Sequence, residues 1–222
     1  MKEIIDLTHE LKNGIAKFDA PWHPIFSFTQ LGKHETEGRA TAQISLGTHT
    51  GTHVDAPLHF IKGGRSIEDI PLDTMMGKVT IVDFSKIGKN KPITKIMLID
   101  IKITKRMLFK FGWGKYYNSK KFYQNYPFFT KDAADYLVSQ NVKLLAMDTP
   151  SPDNSDIKLE GSLLGTKKDS PIHKIFLTNG ITLVEYIANL DKVKEYLGWN
   201  ICVMPLKIKG ADGSPARVCI YR

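Results

Sequence analysis

Residues 49–59 read His49-Thr50-Gly51-Thr52-His53-Val54-Asp55-Ala56-Pro57-Leu58-His59. Three of the chain's seven histidines fall in this stretch, with an aspartate among them. It is the densest group of metal-ligating side chains in the sequence. His49 and His53 are four residues apart. On a single helical turn both imidazoles share one face and reach one ion. In a straight strand their Cα atoms would stand roughly 13 Å apart, too far for easy chelation. Gly51 and Pro57 offer places to bend, so the spacing predicts an irregular or single-turn conformation here rather than a regular strand. Asp55 adds a hard oxygen. Imidazole with carboxylate suits Zn²⁺, Mn²⁺ or Fe²⁺, and the lack of thiolates argues against a structural zinc site. The bland alternative is that these are turn and surface residues. It accounts for one histidine more easily than for three and an aspartate.

Outward from this stretch, short apolar runs predict strands at residues 3–7, 41–46, 78–84, 95–101 and 142–147. Residues 130–140 carry helical spacing, with Thr130 placed as N-cap, Asp132 in the first turn, and Ala133, Ala134, Leu137 and Val138 on one stripe. Residues 14–24 read as a loop, and residues 183–190 and 197–206 read equally as helix or strand. Strands mixed with few helices imply an α/β (mixed α+β) class. The 222 residues contain no repeat or low-complexity linker and read as one domain, 1–222.

The net charge is +8. A basic balance invites a nucleic-acid reading. The lysines are dispersed in singles and pairs such as Lys120-Lys121 and Lys167-Lys168, and no nucleic-acid motif accompanies them, so a solvated lysine surface is expected and no nucleic-acid partner. Residues 1–6 lack an apolar leader and no stretch approaches 18 apolar residues, which implies a cytoplasmic protein without a membrane span. Cys202 and Cys219 sit in apolar surroundings and read as buried free thiols. Gly161-Ser162-Leu163-Leu164-Gly165 lacks the order of a serine nucleophile elbow. Residues 109–129 hold ten aromatic side chains, equally suited to a pocket wall for an aryl substrate, a core, or a subunit interface.

Residues 47–60 closely resemble the signature of the cyclase family, which includes bacterial kynurenine formamidases and isatin hydrolases. Asp6-Leu7-Thr8-His9-Glu10-Leu11 resembles the family's opening. Residues 63–72 resemble the segment after the signature. Asp148-Thr149-Pro150-Ser151-Pro152-Asp153, residues 184–190, Pro205-Leu206-Lys207 and Asp212-Gly213-Ser214-Pro215-Ala216-Arg217 resemble later blocks in the same order. The resemblance implies a swivelling β/β/α fold and a homodimer. It implies His49, His53 and Asp55 as metal ligands, with His173 and Glu185 completing the site, and His59 as the general acid/base. It also brings the loop of Trp22, His23 and Pro24 near the site, with Trp22 a candidate for stacking on substrate. Six candidate groups exceed the three protein ligands of one catalytic zinc, so either two ions share Asp55 or one histidine is left for proton transfer. The implied activity is metal-dependent hydrolysis of a small aryl amide such as N-formylkynurenine, with zinc as cofactor and manganese as the alternative. Opening of a cyclic amide such as isatin is the runner-up. A metal-binding protein without catalysis is the alternative of another class. Phe111 and Tyr186 stand where the family commonly has threonine and asparagine, which bears on the pocket and on the surroundings of Glu185. Arg217 reads as a structural ion-pair partner or as a partner for a substrate carboxylate.

Overall fold

Leu144, Leu145, Ala146 and Met147 are all buried, and they feed two different cores. Leu144 and Ala146 join one cluster, Leu145 and Met147 the other. A run with no polar face is what a strand covered on both sides requires. The computed structural model describes residues 3–156 and 169–222. The residue 161–165 run and Lys167-Lys168 lie outside the described residues.

The strands are β1 (Ile4–Asp6), β2 (Ser27–Gly32), β3 (Thr41–Ser45), β4 (His53–Asp55), β5 (Met76–Lys78), β6 (Thr80–Asp83), β7 (Pro92–Ile93), β8 (Arg106–Lys110), β9 (Phe128–Phe129), β10 (Leu144–Met147), β11 (Thr182–Glu185), β12 (Asn200–Pro205) and β13 (Gly213–Tyr221). The helices are α1 (His34–Glu37), α2 (Leu72–Met75), α3 (Lys131–Ser139) and α4 (Pro171–Thr178). Nine strands form one mixed sheet in the order β5-β12-β13-β4-β11-β10-β8-β6, with β1 also paired to β13. β6, β8, β10 and β11 run parallel, and the other pairings in the sheet are antiparallel. The architecture is mixed α/β, as the sequence pattern implied.

One core lies where Val54, Leu108, Val184, Ile201, Val218 and Ile220 meet. The other is aromatic: Phe109, Phe111, Trp113, Phe122, Tyr126 and Phe129 pack with Ala133, Ala134 and Leu137 of α3 and Ile172 and Phe176 of α4. Of the three readings of residues 109–129, the core is the one observed. Asp148 anchors that segment. Its buried carboxylate accepts the backbone N–H of Phe111 and Trp113, both at 2.8 Å.

Three expectations are corrected. Residues 95–101 form a 3₁₀ turn, Lys95–Met97, followed by further turns, because only Leu98 of the run is fully buried while Ile96 and Ile99 face solvent. The apolar strand in this region is β8 instead. Thr130 occupies the N-cap position of α3, but its hydroxyl donates to the Ile93 carbonyl and makes no capping bond. Cys202 and Cys219 are free but only half-buried, directly opposite each other on the outward face of β12 and β13. Residues 183–190 and 197–206 resolve into the strands β11 and β12 with irregular flanks.

Candidate metal centre

β4 is three residues long and carries the site. Alternation sends His53 and Asp55 to one face and Val54 into the core. The expected irregular backbone covers residues 49–52, where Gly51 takes a φ of +66°; His53–Asp55 is regular strand. β4 lies between β11 and β13, so the sheet brings distant residues to it. Glu185 of β11 is directly opposite His53, and Gly213 of β13 directly opposite Asp55. His173 arrives on the first turn of α4. His59 closes the 3₁₀ turn Pro57–His59.

Two imidazoles are held in the same way. His53 Nδ1 donates to the Gly51 carbonyl at 2.8 Å, which leaves its Nε2 3.3 Å from Asp55 Oδ1 and 3.6 Å from Glu185 Oε2. His173 Nδ1 is tied to the Asp153 carboxylate, and its Nε2 lies 3.1 Å from Glu185 Oε1 and 3.5 Å from Asp55 Oδ2. Fixing one ring nitrogen so that the other faces the ion is how proteins orient histidine ligands. Asp55 Oδ2 and Glu185 Oε1 are buried without a hydrogen bond. Two buried carboxylates with orphaned oxygens are costly unless a cation joins them. The donor set therefore fits a divalent ion. Among the described residues, the candidate ligand atoms fall into two groups, each spanning at most 4.8 Å: His53, Asp55 and Glu185 in one, His49, Asp55 and His59 in the other. Asp55 belongs to both.

His49 sits between two carboxylates, with Nδ1 2.8 Å from Asp55 Oδ1 and Nε2 2.8 Å from Asp212 Oδ2. Burial opposes its charge, but the two carboxylates outweigh burial and raise it to about 10. Asp55 is likewise held well below the carboxylate range: desolvation opposes this, and the charge on His49 with the imidazoles of His49, His53 and His173 around it outweighs desolvation. Asp212 is lowered for the same reason by His49 and His59. His59 goes the other way: burial lowers it, and the Asp212 hydrogen bond only partly offsets this. Burial, together with the charges of His49, His53, His59 and Lys17, brings His23 down to about 4.

These groups line a cavity of about 350 Å³, whose walls include Phe18, Trp22, His23, Phe60 and Tyr186. All six ligand and acid/base candidates and Trp22 thus meet in one place. Arg217 does not; it pairs with Asp6 at 2.7 Å on the outer face of the sheet. Asp212, Asp153 and His23 were given no role by the sequence. Asp212 and Asp153 fall inside recognisable blocks, but nothing in their spacing connects them to His49, His59 or His173.

The Cyclase family model matches residues 5–154. A kynurenine formamidase from Geobacillus thermodenitrificans is 30% identical over 224 residues, covering 100% of this chain and 99% of its own length. Isatin hydrolase A from Labrenzia aggregata, a solved structure, superposes with a TM-score of 0.83 at 24% identity, covering 98% of this chain and 93% of that one. A solved structure from Bacillus stearothermophilus, described as a predicted metal-dependent hydrolase, has a TM-score of 0.76 at 26% identity, covering 98% and 97%. The fold is that of these proteins, and by its sequence the chain belongs to the cyclase family.

Proposed function

We propose that the protein is a metal-dependent amidohydrolase of small aryl amides, with N-formylkynurenine as the substrate it serves. The observation that carries this reading is the pair of buried, orphaned carboxylate oxygens on Asp55 and Glu185, faced by imidazole nitrogens at the floor of a cavity of ligand size. The formamidase relative of full length supports the choice of substrate.

His53, His173, Asp55 and Glu185 would hold one ion, and His49 with Asp55 would offer donors for a second. Nitrogen and oxygen donors without sulfur favour zinc, with manganese the alternative. A bound ion would supply Lewis acidity, lowering the pKa of water and polarising the carbonyl under attack. His59 is neutral near pH 7 and takes the proton from the attacking water, then returns it to the leaving amine. Phe18, Trp22 and Phe60 offer aromatic faces to the aryl group.

The same reading takes residues 1–222 as one domain and the enzyme as a cytoplasmic homodimer. The nine-stranded sheet, in which β1 pairs with β13, supports the first. The apolar side chains Phe28, Leu31 and Ile44, exposed on the β2–β3 hairpin, support an assembly of copies. Among the described residues, no helix is long and apolar enough to cross a membrane.

The test is hydrolysis of N-formylkynurenine by metal-loaded and chelated protein, with metal content determined on the same sample. Chelation-sensitive turnover is expected. Turnover of isatin alone, or turnover that survives complete chelation, would overturn the reading.

A further inference from the structure

The segment that precedes β13 is stitched to the turn that carries His59. Ala56 N–H donates to the Asp212 carbonyl at 2.9 Å, Ile67 N–H donates to the Ala211 carbonyl at 2.9 Å, and Gly213 pairs with Asp55 in the sheet. The backbone of Asp212 is therefore fixed relative to residues 56–67. Its side chain is half-open to solvent, and one oxygen, Oδ2, lies 3.0 Å from His59 Nδ1 and 2.8 Å from His49 Nε2. A carboxylate only accepts, so the facing ring nitrogens donate. The Nδ1 proton of His59 is thereby committed, and Nε2 keeps the lone pair on a ring that lines the cavity.

Resting on the hydrolase reading, we infer that Asp212 is the positioning residue of His59: its carboxylate selects the Nδ1–H tautomer and fixes the ring, so that Nε2 is the atom that takes and returns the proton. The neighbouring bond to His49 makes the same oxygen a spacer between a metal ligand and the acid/base. A carboxylate in this relation to a catalytic imidazole acts through tautomer and orientation rather than by exchanging a proton itself.

The experiment uses the zinc-loaded protein. Nitrogen-15 NMR of histidine-labelled samples, with His59 assigned by its loss in His59→Ala, reads the tautomer directly and needs no turnover. A His59 Nδ1–H signal is expected in the unsubstituted protein, giving way to a tautomer mixture in Asp212→Ala. With N-formylkynurenine, Asp212→Ala is expected to lower kcat by roughly 10–100-fold at unchanged zinc content, with KM within about twofold. In the His59→Ala background, the same substitution should cost nothing more. Asp212→Asn keeps the side chain's shape and serves as the variant least able to disturb the fold. A tautomer indifferent to Asp212→Ala, a His59 nitrogen bonded to zinc, or losses that multiply in the double variant would each overturn the inference. If the NMR result holds while N-formylkynurenine is not hydrolysed, the positioning stands and the choice of substrate fails.

Discussion

One oxygen of Asp153, Oδ2, holds His173 twice, accepting its backbone N–H at 3.1 Å and its ring Nδ1 as well. The other, Oδ1, accepts the Ile172 N–H at 2.7 Å. A single carboxylate thus receives the start of α4 and aims the imidazole that the helix delivers. Asp153→Asn retains one acceptor and loses the charge. We expect zinc affinity to fall roughly 10–100-fold, measured by competition with a chromophoric chelator. An unchanged affinity would mean that His173 is aimed by packing alone.

The proton on His49 makes the stability of chelated protein fall with rising pH while the affinity for an ion rises. In the chelated protein His49 is raised from 6.5 to about 10, so the folded state binds this proton more tightly than the unfolded one. The stabilisation is complete below pH 6.5 and is lost as pH rises through 10. Asp55 and Asp212 are lowered, so their contribution is present above the ordinary carboxylate range and lost on acidification through it. An ion bound at His49 displaces the proton, so apparent affinity rises by about tenfold per pH unit for one proton released. Urea midpoints of chelated and zinc-loaded protein should therefore move apart between pH 6.5 and 9. A constant gap would show that zinc does not displace a proton from His49.

Gly213 has no side chain for a steric reason. A Cβ there would stand 2.6 Å from the Val54 carbonyl oxygen and 2.9 Å from His49 Cε1. The carbonyl belongs to the central strand and cannot retreat, so the imidazole must. Gly213→Ala is expected to destabilise the protein by about 1–3 kcal/mol, the usual range for overpacking, and to weaken metal binding at His49. Thermal unfolding and zinc titration of the variant check both. Unaltered zinc binding would mean that the strand yields instead of the ring.

Tyr186 holds a left-handed backbone, φ +59°, at a position where an asparagine sits more easily. Its ring packs 4.9 Å from Phe122 and 5.0 Å from His53, fully inside. Tyr186→Asn would relieve about 1 kcal/mol of backbone cost but forfeit roughly 3 kcal/mol of aromatic burial. Packing wins, and the melting temperature should fall. A rise would show that backbone strain dominates at this site.

His49, His53, Asp55 and His59 were legible because a single bend of chain holds them all. Glu185 and His173 carried no such signal of their own. Glu185 becomes a neighbour of His53 only through the β4–β11 register, and His173 only through the placing of α4 on Asp153. They were found by resemblance. Asp212 lay in a recognisable block, yet its contact with His59 depends on β13 crossing to the far side of β4, which no local pattern encodes. Residues 95–101 misled because an apolar run looks alike whether it fills a strand or spends one side chain, Leu98, on the core. The aromatic stretch could not be sorted from composition, since core, pocket and interface draw on the same residues.

β4 has no partner near it in the chain: one neighbour is residues 182–185 and the other is residues 213–215. During synthesis from the ribosome, His53 and Asp55 emerge long before either flank exists. Their carboxylate and imidazole groups stay in water until the last antiparallel strand docks. Closure of loops this long is slow relative to local structure formation. Competence to bind the ion is therefore acquired late, in the same event that completes the sheet, and a nascent chain stalled before residue 213 would display the histidine signature without the ability to use it.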